Sequence, residues 1–417
     1  MTYINDNTKS LRFLIGMNGS GKTYALNKAL KVHEQHAILV TEDGMPIIPR
    51  HMNQVSVNIE KMSYSYTDEA SRGQSGRATE EESISDRVQK VVLYCNDIKR
   101  KLNLFKKKSK GQEKLFNMMA IFTNYNLNHI KAVYFDEPEN FLDEEFLKVI
   151  AEFFRLLVDS SFIVRVATHN SRLLNILMVS LEDIIFFNSH TQFLVSNDEM
   201  KELYGLASSE IEEIREANRI QTDASIKYKL DLLNYPLAFD NFVEQSLKSE
   251  EFYRCLFYKK VIIVEGISDI IALSSMKNEF ESSIEIFNPN GKAFIPFFVY
   301  LFLKLKKEVV VIIDDDIPEQ DENTNLKHPV AITHLLRKFA TMGDIRLVLH
   351  TPDLEGFYNI DLVEIGKNLG MSSSVRNSNK GWNKSLAAFI FFSDESNKQR
   401  LRNHVFGMEG DTHFEFL

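Results

Sequence analysis

Residues 16–23 read Gly16-Met17-Asn18-Gly19-Ser20-Gly21-Lys22-Thr23, a complete GxxxxGK[ST] pattern. Before it, residues 12–15 read as a short buried strand, and after it Thr23–Lys31 reads as a helix. In that strand–loop–helix setting the glycines let backbone N–H groups wrap a phosphate, and the helix N-terminus adds positive potential. Lys22 is expected to reach the β- and γ-phosphates of a nucleotide, and the Thr23 hydroxyl to hold Mg²⁺. A glycine-rich turn with no ligand is the plainer alternative, and the flanking pattern argues against it.

The chain beyond the loop alternates helices and apolar strands. Val88–Leu104 and Lys114–Phe122 read as helices, Ala132–Phe135 as a buried strand, Phe141–Val158 as an amphipathic helix and Phe162–Ala167 as another strand. Such alternation implies an α/β fold with a parallel sheet. Tyr66–Arg87 is polar and carries Gly73 and Gly76, so it reads as an exposed loop or mobile insertion. Ser208–Phe257 reads as charged helices with a break at Tyr235-Pro236. A second series then follows: strands Val261–Val264, Ile284–Phe287, Val309–Ile313 and Ile345–Leu349, with helices Asp269–Lys277 and Phe294–Leu305. The two halves share no repeat. The expected organisation is a nucleotide-binding domain over 1–205, a helical linker over 206–258 and a second parallel-sheet domain over 259–417.

Composition bounds the class. The 417 residues are 44% apolar and 26% charged, a globular balance. Cys95 and Cys255 are far apart and lack CxxC spacing, so neither a disulfide framework nor a zinc site is indicated. No signal peptide is evident, and the most apolar run, Ala293–Leu303, is too short to span a bilayer. A cytoplasmic protein without a membrane partner is expected. The formal net charge of −9 argues against non-specific coating of nucleic acid but leaves room for a local basic groove.

Asp136-Glu137 closes the strand Ala132–Phe135 and continues as Pro138-Glu139-Asn140-Phe141-Leu142-Asp143. The first acid can support Mg²⁺ and the second can orient or deprotonate a water. Thr168-His169-Asn170 follows the next strand. This order resembles the Walker B motif, D-loop and histidine of ABC-type ATPases, which implies ATP as the nucleotide and His169 as its γ-phosphate sensor. The SxGQ signature of that class occurs at Ser71–Gln74 and at Ser109-Lys110-Gly111-Gln112. Only Ser109 precedes a helix and then the Walker B strand, so Ser109, Gly111 and Gln112 are the candidates. In the family the signature serves ATP on a second subunit, which implies a homodimer or larger assembly through the ATPase heads. Departures exist: the leading β-hairpin is missing or shortened, no long coiled coil separates Walker A from the signature, and Gln54 is no more than a guess for the Q-loop glutamine.

Glu265-Gly266 closes an apolar strand and Asp269 lies in the helix after it; Asp314-Asp315-Asp316 closes the strand Val309–Ile313, and Asn288–Lys292 lies between. Hard divalent ions need several oxygens from rigid elements, and acids at neighbouring strand ends supply them. The order resembles the Toprim domain of topoisomerases, primases and nucleases of the OLD (overcoming lysogenization defect) family. The lead-in from Cys255 to Gly266 resembles OLD further. The resemblance implies Mg²⁺ or Mn²⁺ on Glu265, Asp269, Asp314, Asp316 and Glu355, with Glu265 alternatively a general acid or base. It also implies Lys384 as support for the scissile phosphate.

What these resemblances imply is an ATP-regulated nuclease acting on DNA more than RNA, in a prokaryotic or phage setting, in anti-phage defence with room for a partner protein. A sensor ATPase whose Toprim half binds a partner or cuts RNA such as tRNA is the alternative, and a RecF- or SMC-like repair ATPase a weaker third. Lys99, Arg100, Lys101, Lys106, Lys107, Lys108, Lys110 and Lys114 form the one conspicuous basic run. It reads either as a nucleic-acid contact or as a solvated helix face near the nucleotide.

Overall fold

The structure, a computed structural model, describes residues 3–50, 52, 54–66, 81–188, 191–276, 283–317, 327–370 and 380–407, with side chains from 384 onward in the last segment. The chain divides into two units, Met1–Ser196 and Asn197–Leu417.

The first unit contains strands β1 (Leu11–Gly16), β2 (Ala37–Val40), β3 (Pro46–Ile47), β4 (Ser56–Asn58), β5 (Ser63–Ser65), β6 (Glu81–Ser83), β7 (Ala132–Asp136), β8 (Ile163–Ala167), β9 (Ile184–Asn188) and β10 (Thr191–Phe193). Seven of them form one sheet in the order β10-β9-β1-β8-β7-β2-β3. The five inner strands are parallel; β3 and β10 close the edges in antiparallel fashion. Strands covered on both faces become near-continuous apolar runs, which is why residues 37–40 and 132–135 are entirely hydrophobic and buried. The helix Lys22–Val32 packs Leu26 and Ala29 onto Leu14, Leu39, Tyr134 and Ile185. On Phe135 the rings of Phe153 and Phe154 pack from the helix Glu144–Asp159, and Phe122 meets Phe153 edge-on.

Two expectations need correction. The helix after Walker B begins at Glu144, not Phe141. Asp143 caps it by accepting the Phe146 amide at 3.1 Å, and Phe141 sits outside at φ 69. Residues 81–87 are mostly not loop: Glu81–Ser83 joins β4 and β5 in a three-stranded antiparallel sheet, and a helix starts at Asp86. Polarity misled because Glu82 is a structural acceptor, held by Tyr66 Oη at 2.6 Å and by Asn126 and Asn128 Nδ2 at 2.7 Å. Ser71–Gln74 lies outside the described residues.

The second unit holds β11 (Lys260–Val264), β12 (Ile284–Phe287), β13 (Glu308–Asp314) and β14 (Arg346–His350), an all-parallel sheet in the order β12-β11-β13-β14. Alternate residues Ile262, Val264, Val310, Ile312 and Val348 share one face, packed by Leu273, by Ala387, Ala388, Leu401 and Val405 of the last two helices and by Phe392 between them. The helices expected as a linker group with this unit. Tyr204 packs on Phe297 and Phe242, and Phe252 on Phe298 and Phe302. The fully buried His328 accepts the Asp223 amide on Nδ1 at 3.0 Å, so its Nε2–H donates to Glu212 at 2.9 Å. Pro236 opens the helix Pro236–Phe242, where its missing N–H costs nothing.

Candidate functional site

In the first unit the loop between β1 and the helix Lys22–Val32 turns back through Gly19 and Gly21, at φ 77 and 99. A side chain at either would be strained, and a Cβ on Gly16 would meet the Phe187 carbonyl at 2.6 Å. Asn18, Gly19 and Thr23 are exposed, while Lys22 is buried. The Lys22 ammonium donates to the Gly16 and Met17 carbonyls at 2.7 and 3.3 Å. Burial pushes its pKa down, against the pull of Glu137, Asp136 and Glu139.

The strand ends beside this loop bring the acids in. Asp136 accepts a hydrogen bond from the Thr23 hydroxyl, its Oδ1 is buried without a hydrogen-bond partner, and burial raises its pKa. Glu137, at φ 46, lies 3.2 Å from His169 Nδ1. Glu139 is 3% exposed, accepts from the Thr168 hydroxyl at 2.6 Å and the His169 amide at 3.1 Å, and is driven upward in pKa by burial. Asn140 Nδ2 bridges Glu42 at 2.7 Å and Glu137 at 2.9 Å.

Ser109, Gly111 and Gln112 stand at the start of the helix Lys110–Asn124. Ser109 and Gln112 form a capping box, at 3.2 and 3.0 Å. A Cβ on Gly111 would lie 2.4 Å from the Phe141 carbonyl, so glycine is required there by close approach. One turn on, the buried Lys114 donates to the carbonyls of Glu137 at 2.9 Å and Asn140 at 3.1 Å, which ties this helix to the Walker B turn. Gln54 is placed against Tyr125, with Nε2 3.4 Å from its hydroxyl. Glu42, Asn140 and Lys114 were not among the sequence candidates as acting on Glu137. Only the Glu42-Asp43 pair after an apolar strand hinted at it.

In the second unit β11 ends at Glu265, β13 at Asp314, and β14 leads to Glu355. Lys292, 8% exposed, reaches between them: its ammonium lies 3.2 Å from Glu265 Oε2, donates to the Asp314 carbonyl at 2.7 Å and pairs with Asp316. The Asp314 amide donates to Glu265 at 3.3 Å, and Asp314 Oδ1 accepts the Leu354 amide at 3.1 Å. Asp269 accepts the Gly266 amide at 3.1 Å through Oδ2; its buried Oδ1 has no hydrogen bond and faces His350 Nδ1 at 3.6 Å. Lys384 pairs with Glu355 at 2.7 Å and Asp353 at 3.1 Å, leaving Glu355 Oε1 buried and unbonded. Asp315 points elsewhere, to Arg337 at 2.8 Å.

Crowded acids repel, and burial penalises their ionised forms. Asp269 is pushed up to about 7 by burial, then by Asp314, Glu265 and Glu355. Asp314 is likewise pushed up to about 7 by burial, then by Glu265 and Asp353, with Lys292 pulling the other way. Glu265, Asp269, Asp314 and Glu355 therefore share one field, and Asp316 joins through Lys292. Lys292 and Asp353 stand inside motifs legible in the sequence but carried no expected role there, and His350 carried no signal at all. Among the described residues no group of three or more His, Cys, Asp or Glu side chains is disposed to hold a metal ion as it stands. Among them, too, no helix is long and apolar enough to cross a membrane.

A search of curated proteins finds no match to the chain. Two solved structures similar to it are cbiO1 from Clostridium perfringens, part of the ABC transporter complex cbiONQ, and an ABC transporter described as of metal-chelate type in an inward-facing conformation. The first is 18% identical over 49% of this chain and 82% of its own, the second 14% over 47% and 79%, each with a TM-score of 0.26. Similarity at that level says nothing about chemistry. Residues 256–316, which hold β11, β12, β13 and four of the five clustered acids, match the family model of the Toprim domain of overcoming lysogenization defect protein-like proteins.

Proposed function

We propose that the chain is an ATP-regulated, divalent-metal-dependent nuclease acting on DNA before RNA. In this reading the first unit is an ABC-type ATPase that works as a homodimer or larger assembly, and the setting is cytoplasmic anti-phage defence, with or without a partner protein. The observation that carries it is the convergence of Glu265, Asp269, Asp314 and Glu355 at the carboxyl ends of parallel strands. Open α/β sheets bind their ligands at that edge.

The donor set suits a hard cation. Two carboxyls titrate near 7, and Asp269 and Glu355 each keep one buried oxygen unbonded. Glu265, Asp269, Asp314, Asp316 and Glu355 would hold Mg²⁺ or Mn²⁺, which supplies charge to a phosphodiester and lowers the pKa of an attacking water. Lys292 and Lys384, released from their carboxylates, are then free to hold phosphate oxygens. Glu265 alternatively moves the proton itself.

At the nucleotide site Asp136 and Thr23 would hold Mg²⁺, a role that suits the unbonded Asp136 Oδ1. Lys22 swings from the loop carbonyls to the β- and γ-phosphates. Glu137 activates the water, with His169 beside it, and Asn140 and Glu42 fix its orientation. Ser109, Gly111 and Gln112 would face ATP on a second subunit.

A sensor ATPase whose Toprim unit binds a partner or cuts RNA is the second reading. It is favoured by the direct pairing of both lysines with the acids. Incubating the purified protein with plasmid, linear DNA and RNA, with Mg²⁺ or Mn²⁺ and with or without ATP, separates them. Metal-dependent DNA cleavage is expected; cleavage of RNA alone, or of nothing, gives the sensor reading.

A further inference from the structure

The basic run at residues 99–114 is sorted by the fold into committed and uncommitted cations. Lys114 is buried and bound to the Walker B turn, so it leaves the surface. Lys99 donates to Thr123 Oγ1 at 2.7 Å. Arg100 and Lys101 both pair with Asp97, at 2.9 and 2.8 Å. What remains lies on the turn 103–108, between the helices Asp86–Leu102 and Lys110–Asn124. Lys106 and Lys107 are exposed and, among the described residues, pair with no carboxylate. Lys108 lies over the Phe116 ring at 4.7 Å and donates to Asn103 at 3.1 Å, again without an acid. Lys110, at the start of the next helix, lies over Phe141 at 5.8 Å.

The turn is anchored at both ends, by the buried Leu102 and by the Ser109 capping box. Beside its lysines it exposes Leu104, 82% accessible, and Phe105, 50% accessible. In a chain of net charge −9, uncompensated cations gathered on one anchored turn favour a polyanion there. A half-exposed ring next to them offers a face on which a base can stack.

We propose that the turn 103–108 is a docking surface for the phosphodiester backbone of nucleic acid. The proposal deepens the reading of the Toprim unit as a nuclease and rests on it for the choice of partner. Two apolar side chains bury little area in a bilayer, so the lysines outweigh them and a lipid surface is the lesser fit.

The test is a salt titration of binding, followed by fluorescence anisotropy. The probes are a labelled DNA duplex, the same strand alone and an RNA duplex of the same sequence. Wild type is compared with Lys106→Gln/Lys107→Gln and with Lys106→Arg/Lys107→Arg. On duplex DNA each phosphate contact contributes about 0.9 to the slope of log K against log salt, so the glutamine variant should lose about 1.8 of that slope and the arginine variant should keep it. Nucleotide binding by both variants serves as the folding control. An unchanged slope on every probe, or no binding by wild type, overturns the surface. Loss of binding to anionic phosphatidylserine vesicles with DNA binding intact overturns it in favour of lipid. Cleavage is scored separately: wild type that binds with the expected slope but never cuts refutes the nuclease reading and leaves the surface standing.

Discussion

The two units place charge at the ends of parallel strands in opposite ways. At the phosphate loop the lysines are kept off the acids. Lys22 rests on the Gly16 and Met17 carbonyls and Lys114 on those of Glu137 and Asn140, while the acids take hydroxyls, amides and a histidine. In the Toprim unit the lysines sit directly on the acids: Lys292 on Glu265 and Asp316, Lys384 on Glu355 and Asp353. A site whose ammonium is held by neutral carbonyls gives it up readily to an anion. A site whose acids are neutralised by ammonium groups admits a cation by exchange. In the proposed function the first would take a nucleotide phosphate and the second a metal ion.

The largest expected effect separates them at once. Lys22→Ala should abolish nucleotide binding, read by fluorescent ATP analogue titration, and leave Mn²⁺ binding to the second unit intact. Loss of both would mean the two sites are not independent. Glu137→Gln should slow ATP hydrolysis by about 100-fold or more, as expected for removal of a general base. It should also trap an ATP-bound dimer visible by light scattering. Hydrolysis at the normal rate would remove Glu137 from its role, and a strictly monomeric, fully active wild type would remove the composite site.

A smaller effect concerns pH. Asp269 and Asp314 titrate at about 7 in the folded chain, far above the ordinary value of about 4. Carboxyls raised in this way stabilise the fold while protonated and lose that contribution as pH rises through about 7. In EDTA the thermal midpoint of the second unit should therefore fall between about pH 5 and pH 8, and millimolar Mg²⁺ should restore it at pH 8. A midpoint that rises with pH, or ignores Mg²⁺, would break the cation-exchange side of the comparison.

The smallest is Ser109→Ala, which removes a helix cap and should cost the first unit about 1 kcal/mol by denaturant unfolding. An ATPase loss far beyond that cost would mark Ser109 as a nucleotide contact as well as a cap.

Much of this was legible in the sequence, and the gaps have physical causes. The phosphate loop and strands β7, β8, β11, β12 and β13 could be read to within a residue or two, because doubly covered parallel strands leave largely apolar runs, broken here only by Arg165 in β8 and Glu285 in β12. Short edge strands such as β3 and β10 left no such run. Strand β6 was hidden because Glu81-Glu82-Ser83 is polar, and its stability comes from Asn126 and Asn128, distant in sequence. The acids of the second site could be named in advance, since each follows a strand. Of their counter-charges Lys384 was named but Lys292 was given no role: it looks like any lysine until the turn after β12 buries it among carboxylates. The same holds for Glu42, which reaches Asn140, and through it Glu137, because β2 lies beside β7 in the sheet.

In the proposed function the Toprim unit carries the nuclease chemistry and the phosphate-loop unit the ATP hydrolysis. Nuclease and ATPase rates measured on the same preparations of wild type, Asp314→Ala and Glu265→Ala test it most directly, with plasmid DNA and Mn²⁺. Both variants should lose cleavage while hydrolysing ATP at close to the wild-type rate. Undiminished cleavage in both would contradict it and take the nuclease out of this unit.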